Sequence, residues 1–150
     1  DYLPLKNLTE LKCFLGAGLE NFHDLTVFEN ADELIYFELT CADIQNGLDT
    51  ICEKENLLVL DFFRCTAEDF SPIGKCVNLK SLALPSTNVA DLSFLKNLTK
   101  LEVLYISDID ADDYSVLLDL PKLKHLIAEN CDIPTEISSE LIANGVKIKR

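Results

Sequence analysis

Between Asn88 and Ile106 the chain reads NVADLSFLKNLTKLEVLYI, with Leu92, Leu95, Leu98, Leu101 and Leu104 at every third position and Ile106 two further on. A helix brings residues to one face at a mean spacing of 3.6 and a strand at a spacing of 2, so neither keeps all six on one side. A chain that turns continuously does: a short strand at L-x-x-L-x-I preceded by a tight return segment. One such turn cannot bury its own apolar edge, so the stretch demands similar turns stacked on either side.

The rest of the sequence supplies them. Strand frames begin at Leu11, Leu34, Leu57, Leu79, Leu101 and Leu123, at intervals of 23, 23, 22, 22 and 22 residues. Counting the first leucine as place one, the ninth and eleventh places hold Ala42 and Ile44, Cys65 and Ala67, Thr87 and Val89, Ile109 and Ala111, Cys131 and Ile133. This pattern resembles the L-x-x-L-x-L-x-x-N/C-x-L signature of leucine-rich-repeat proteins. The returns Leu92/Leu95/Leu98 and Tyr114/Leu117/Leu120 resemble the short 22-residue repeat of bacterial internalins and of the phosphatase-regulatory class. The resemblance covers residues 1 to about 137. It implies an α/β repeat solenoid: a horseshoe with a parallel concave sheet of about six strands and short helical or 3₁₀ convex segments. One departure stands out, since no asparagine occupies the ninth place. Cys, Thr, Ala and Ile replace its backbone hydrogen bonds weakly or not at all, which predicts an irregular ladder on the same fold.

Residues 1–150 read as a single domain. Asp1, Tyr2, Leu5 and Leu8 hold the places of Asp91, Leu92, Leu95 and Leu98, so the sequence starts in the second half of a coil, as a trimmed or processed chain would. In the first coil Gly16 and Gly18 thin the strand, and Phe22, Leu25 and Phe28 are expected to fill the space. Ile44, Leu48 and Ile51 have helical spacing and predict a short convex helix. Ser71-Pro72 and Gly74 predict a tight or 3₁₀ return. A C-terminal cap is expected over about 134–150: a helix with Thr135 as N-cap, closed by Asn144-Gly145, then a last strand at Val146–Lys149 whose lysines discourage further stacking.

Thirteen basic against 26 acidic residues give a net charge of −13, which makes nucleic acid and anionic membranes poor partners. No apolar run approaches the roughly 18 residues that span a bilayer. The six cysteines, Cys13, Cys41, Cys52, Cys65, Cys76 and Cys131, form no C-x-x-C pair or dense cluster, so reduced structural thiols and a cytoplasmic location are expected, with a secreted or surface location the alternative. Cys41/Cys65 and Cys52/Cys76 are diagonal neighbours on adjacent coils, but their one-place offset argues against bridging.

Strand alternation turns the leucines inward and places three, five and seven outward. The third-place row is Cys13, Tyr36, Val59, Ser81, Val103, His125; the fifth is Leu15, Glu38, Asp61, Ala83, Tyr105, Ile127; the seventh is Ala17, Thr40, Phe63, Pro85, Ser107, Glu129. Tyr36, Val59, Phe63, Val103, Tyr105 and Ile127 are apolar or aromatic where solvent-facing positions are by default polar; Glu38, Asp61, Asp108 and Glu129 surround them, and His125 shares the face. Aromatics inside a charged rim point to a protein-binding surface for a neutral or basic partner; strand propensity alone is the plainer explanation of the same residues. A structural repeat segment within a larger surface or effector protein is the other functional expectation.

Nothing suggests catalysis, a metal or a cofactor. His23 falls on a return and His125 on the sheet, and Glu129, four residues from His125 on one strand, lies roughly 13 Å away. Asp110, Asp112 and Asp113 lack the spacing of a calcium loop and read as a solvated run. The sequons at Asn7 and Asn97 fall at one repeat place, which the repeat itself explains.

Overall fold

A computed structural model describes residues 2–19 and 21–150; Asp1 of the first half-coil lies outside them. The strands are β1 (Cys13–Gly16), β2 (Tyr36–Thr40), β3 (Asp43–Ile44), β4 (Val59–Phe63), β5 (Thr66–Ala67), β6 (Ser81–Ala83), β7 (Val103–Tyr105), β8 (His125–Ile127) and β9 (Lys147–Lys149). Seven of them form one parallel sheet in the order β1-β2-β4-β6-β7-β8-β9, and β3 and β5 pair separately behind it. The sheet therefore has one strand more than the six repeat frames provide, because the C-terminal strand joins it, with Lys147 opposite His125 and Lys149 opposite Ile127.

Each strand returns through a short helical segment. Four returns are single 3₁₀ turns, at Leu25–Phe28, Ser71–Lys75, Ser93–Asn97 and Ser115–Asp119; the second coil instead uses the α-helix α1 (Leu48–Cys52). The turns begin with a repeated device. Asp24, Asp69, Asp91 and Asp113 accept the backbone N–H of the residue two further on, Thr26, Ser71, Ser93 and Ser115, at 2.7–2.9 Å. These bonds satisfy an N–H that the helix start leaves unpaired. They also hold the carboxylates of Asp24, Asp91 and Asp113 below the ordinary range. Part of the DIDADD run is thus explained, since Asp113 is occupied with Ser115.

A second device turns every coil out of the sheet. Cys41, Arg64, Ser86, Asp108 and Asn130, all at place eight, have φ between 53° and 58°, and Gly18 holds the same place in the first coil with φ 64°. Left-handed backbone at five non-glycine residues is costly, and the stack imposes it because place eight must reverse the chain while the next coil does the same. Place nine then substitutes for the missing asparagines. Thr87 Oγ1 donates to the Leu84 carbonyl at 2.8 Å, Cys65 Sγ to Leu39 at 3.2 Å and Cys131 Sγ to Ile106 at 2.9 Å. Ala42 and Ile109 have no donor to offer, so the ladder is irregular, as expected.

The core runs unbroken along the stack, but its material changes. At one end Phe22, Phe28, Phe37 and Phe62 are fully buried, and Phe14 stacks on Phe37 with ring centres 5.2 Å apart. Phe28 and Phe62 meet Phe37 edge-on at 5.1 and 6.0 Å. A side chain at Gly16 would strike Phe14, Leu19 and Leu39, so these residues, and not the return residues Phe22, Leu25 and Phe28, fill the space beside the glycine. From the fourth coil onward leucines take over: Leu79, Leu82, Leu84, Leu95, Leu98, Leu101 and Leu104 have no exposure.

The cap differs from expectation in one detail. The helix α2 spans Thr135–Ala143, with Pro134 at the N-cap and Thr135 already inside, and no side chain caps it. Proline's fixed φ suits a helix entrance, so threonine is displaced by one place. Asn144 and Gly145 (φ 88°) close the helix as the sequence suggests.

Candidate interaction surface

The strand register sets the concave rows in line. Cys13, Tyr36, Val59, Ser81, Val103, His125 and Lys147 lie opposite one another, as do Leu15, Glu38, Asp61, Ala83, Tyr105, Ile127 and Lys149. Seven strands about 4.8 Å apart make a face about 29 Å across. Tyr36, Glu38, Val59, Asp61, Val103, Tyr105, Ile127 and Glu129 are half-buried, whereas His125 and Phe63 are exposed. Leu15, at 64% exposure, adds an apolar side chain that the polar-rim argument did not single out.

The face is not uniform. Its centre carries small or buried residues, Ser81, Ala83 (9% exposed) and the buried Pro85. They form a low strip with Asp61 and Phe63 on one bank and Val103 and Tyr105 on the other. Ser107, expected outward, is only 1% exposed, and its hydroxyl accepts the Glu129 N–H at 2.8 Å. That bond ties two coils together.

The two banks differ in charge. Glu38 lies directly opposite Asp61, and among the described residues neither has a cationic partner within ion-pair distance. Tyr36 donates its hydroxyl to Glu38 at 2.6 Å, which pushes the phenol up to about 12. Asp61 Oδ1 is shielded from solvent and accepts no hydrogen bond. Burial, and then the Glu38 charge, raise the Asp61 carboxyl to about 6. At the other end Glu129 is neutralised by Lys149 at 2.8 Å, and Glu102 by Lys124 at 2.6 Å. Of the acidic residues picked from the sequence, Glu38 and Asp61 therefore face each other with no cation, while Asp108 accepts the Asn130 side-chain amide at 2.8 Å. Arg64 lies with its guanidinium 5.1 Å from the Phe63 ring centre, so the aromatic and the cation share the rim beside them. Only the order of coils in space could reveal this division, because Lys149 lies 20 residues from Glu129 in the chain.

His23 is on the convex side, where its Nδ1 meets the Asp43 carbonyl at 2.8 Å. Among the described residues no group of three His, Cys, Asp or Glu side chains is placed to hold a metal ion, and no helix is long and apolar enough to cross a membrane.

Stacked coils, a parallel sheet on one face and turns on the other define a leucine-rich-repeat solenoid. Solved structures agree. The chain is similar to internalin C2 of Listeria monocytogenes at 26% identity and a TM-score of 0.75, covering 99% of this chain and 66% of that one. It is similar to a leucine-rich-repeat protein of Leptospira interrogans at 13% identity and a TM-score of 0.63, covering 99% of this chain and 51% of that one. It also matches a plant peptide hormone receptor, RGFR1, in complex with RGF2, at 13% identity and a TM-score of 0.65, covering 97% and 33%. These likenesses place the chain among leucine-rich-repeat proteins by fold. It spans just under two thirds of internalin C2 and less of the others. No family model and no curated protein matches the sequence.

Proposed function

We propose that the chain is a non-enzymatic protein-interaction module whose partner docks on the concave sheet. Tyr36, Phe63 and Tyr105 would anchor it, with Val59, Val103, His125 and Ile127 completing the contact. The observation that carries this reading is the uncompensated Glu38–Asp61 pair set among apolar side chains. Two facing carboxylates without a cationic partner are unfavourable in a free protein and favourable once a cation meets them. The partner is accordingly basic where it meets β2 and β4, and neutral toward β8, where Lys149 has already matched Glu129. The plant receptor's complex with RGF2 supports the reading at the level of the fold.

The test is retention of a protein from a lysate of the source organism by the wild-type chain, compared with Tyr36→Ala/Phe63→Ala/Tyr105→Ala. A partner held by the first and lost by the second, and released by Glu38→Gln/Asp61→Asn, supports the concave site. A second reading, a structural repeat segment of a larger surface or effector protein, is favoured by the partial coverage of the relatives. Specific retention by neither chain, with both folded, selects it. Counting free thiols after unfolding protein taken directly from the source tests location: six favour a reducing compartment, and fewer favour export.

A further inference from the structure

On the convex face, away from the proposed docking surface, two coils bring Cys52 and Cys76 together. Cys52 ends α1, and Cys76 caps the Ser71–Lys75 turn packed beside it. Both are buried, at 2% and 3% exposure, and the Cys76 thiol beside Cys52, followed by burial, raises the Cys52 thiol well above its ordinary range. The backbone on either side is pinned. Lys75 reaches Asp49 at 2.7 Å and Glu53 at 3.3 Å, and Asn78 Nδ2 donates to the Glu55 carbonyl at 2.9 Å. The sequence offset that argued against this pair is absorbed because the second coil returns through an α-helical turn while the third uses a 3₁₀ turn, with different rise per residue. The sister pair has no such geometry: Cys41 is exposed on a left-handed residue, and the Cys65 thiol is occupied with Leu39.

We propose that Cys52 and Cys76 form a disulfide when the chain folds in the presence of a small-molecule disulfide, and that this bond locks the second coil to the third. One cysteine thiolate attacks the external disulfide, giving a mixed disulfide and releasing one thiol. The other then attacks the protein-bound sulfur, forming the Cys52–Cys76 bond and releasing the second thiol. The protein loses two hydrogens, both cysteines are oxidised and the external disulfide is reduced. Closure belongs to folding or to local opening of α1, because in the native state the neighbouring Cys76 thiol and then burial hold Cys52 protonated and unreactive. The bond closes a ring between residues 24 apart, which restricts the unfolded chain.

The experiment is refolding of the full chain from denaturant with reduced and oxidised glutathione, followed by non-reducing peptide mapping by mass spectrometry. The expected result is one linked pair of peptides, containing Cys52 and Cys76, and a thermal midpoint about 5–10 °C above that of the reduced protein. Cys52→Ala abolishes the link, and Cys41→Ala/Cys65→Ala retains it. The proposal is overturned if Cys13 and Cys41 acquire glutathione while Cys52 and Cys76 remain free thiols, or if Cys52 distributes among several partners.

Discussion

The first three coils and the last three solve one packing problem with different materials. In the first, Phe14, Phe28, Phe37 and Phe62 interlock, α1 replaces a 3₁₀ turn, and β3 and β5 add a second ladder. In the last, leucines at three-residue spacing meet leucines of the next coil, and the turns repeat every 22 residues. The ladder behind the sheet shows the same transition. Where β5 has no further strand, Asn88 takes the strand's place, donating to the Ala67 carbonyl at 2.9 Å and accepting its N–H at 3.0 Å. Charge follows the same division, with the acidic bank of the concave face on the aromatic side and the paired carboxylates on the leucine side. A solenoid tolerates such variation because each coil answers only to its neighbours.

The sharpest way to break the comparison is to truncate one central side chain in each half. Phe37→Ala should cost about 3–5 kcal/mol, whereas Leu104→Ala, equally buried, should fall nearer the lower end of roughly 2–5 kcal/mol. The difference, on the order of 1 kcal/mol, is the ring contacts that Phe37 makes with three neighbours. Urea titrations of both variants check it, and equal losses would show that the aromatic half is no more specifically packed. Next comes Gly47, which enters α1 with φ 82° and whose added Cβ would land on the Thr26 backbone nitrogen. Gly47→Ala should cost about 3 kcal/mol through strain and overlap. A loss below about 1 kcal/mol in the same titration would mean that the first two coils can separate freely.

The smallest expected effect concerns charge. The Asp61 carboxyl is raised from its ordinary 3.8 to about 6, so the folded state holds its proton more tightly than the unfolded chain. Its stabilisation is complete below about pH 4 and is lost as pH rises through 6. Asp61→Asn should remove that loss, flattening the stability profile between pH 4 and 7. At neutral pH it should add about 1 kcal/mol, a value held down by solvent screening of a half-exposed group. An unchanged profile would show that Asp61 is solvated like any surface carboxylate.

Much of this was legible in the residues. The frames at Leu11 to Leu123 name the strands, the third- and fifth-place rows match the observed register from β1 to β8, and Ser71-Pro72 marks a 3₁₀ turn. The left-handed place eight was hidden, because Cys41, Arg64, Ser86, Asp108 and Asn130 carry no common signature. The Ser107 bond to Glu129 was hidden as well, because a serine on an outward row looks solvated.

By itself the sequence determined the solenoid, since a leucine every third residue at a 22–23-residue repeat leaves no other way to bury so many apolar side chains. Only the tertiary structure decided which charges and thiols meet. Glu38 with Asp61, Glu129 with Lys149 and Cys52 with Cys76 are separated by 20 to 24 residues along the chain. Their contact depends on the register of the strands and the geometry of the segments between them, where a five-residue α-helical segment rises about 2.5 Å less than a 3₁₀ segment of the same length.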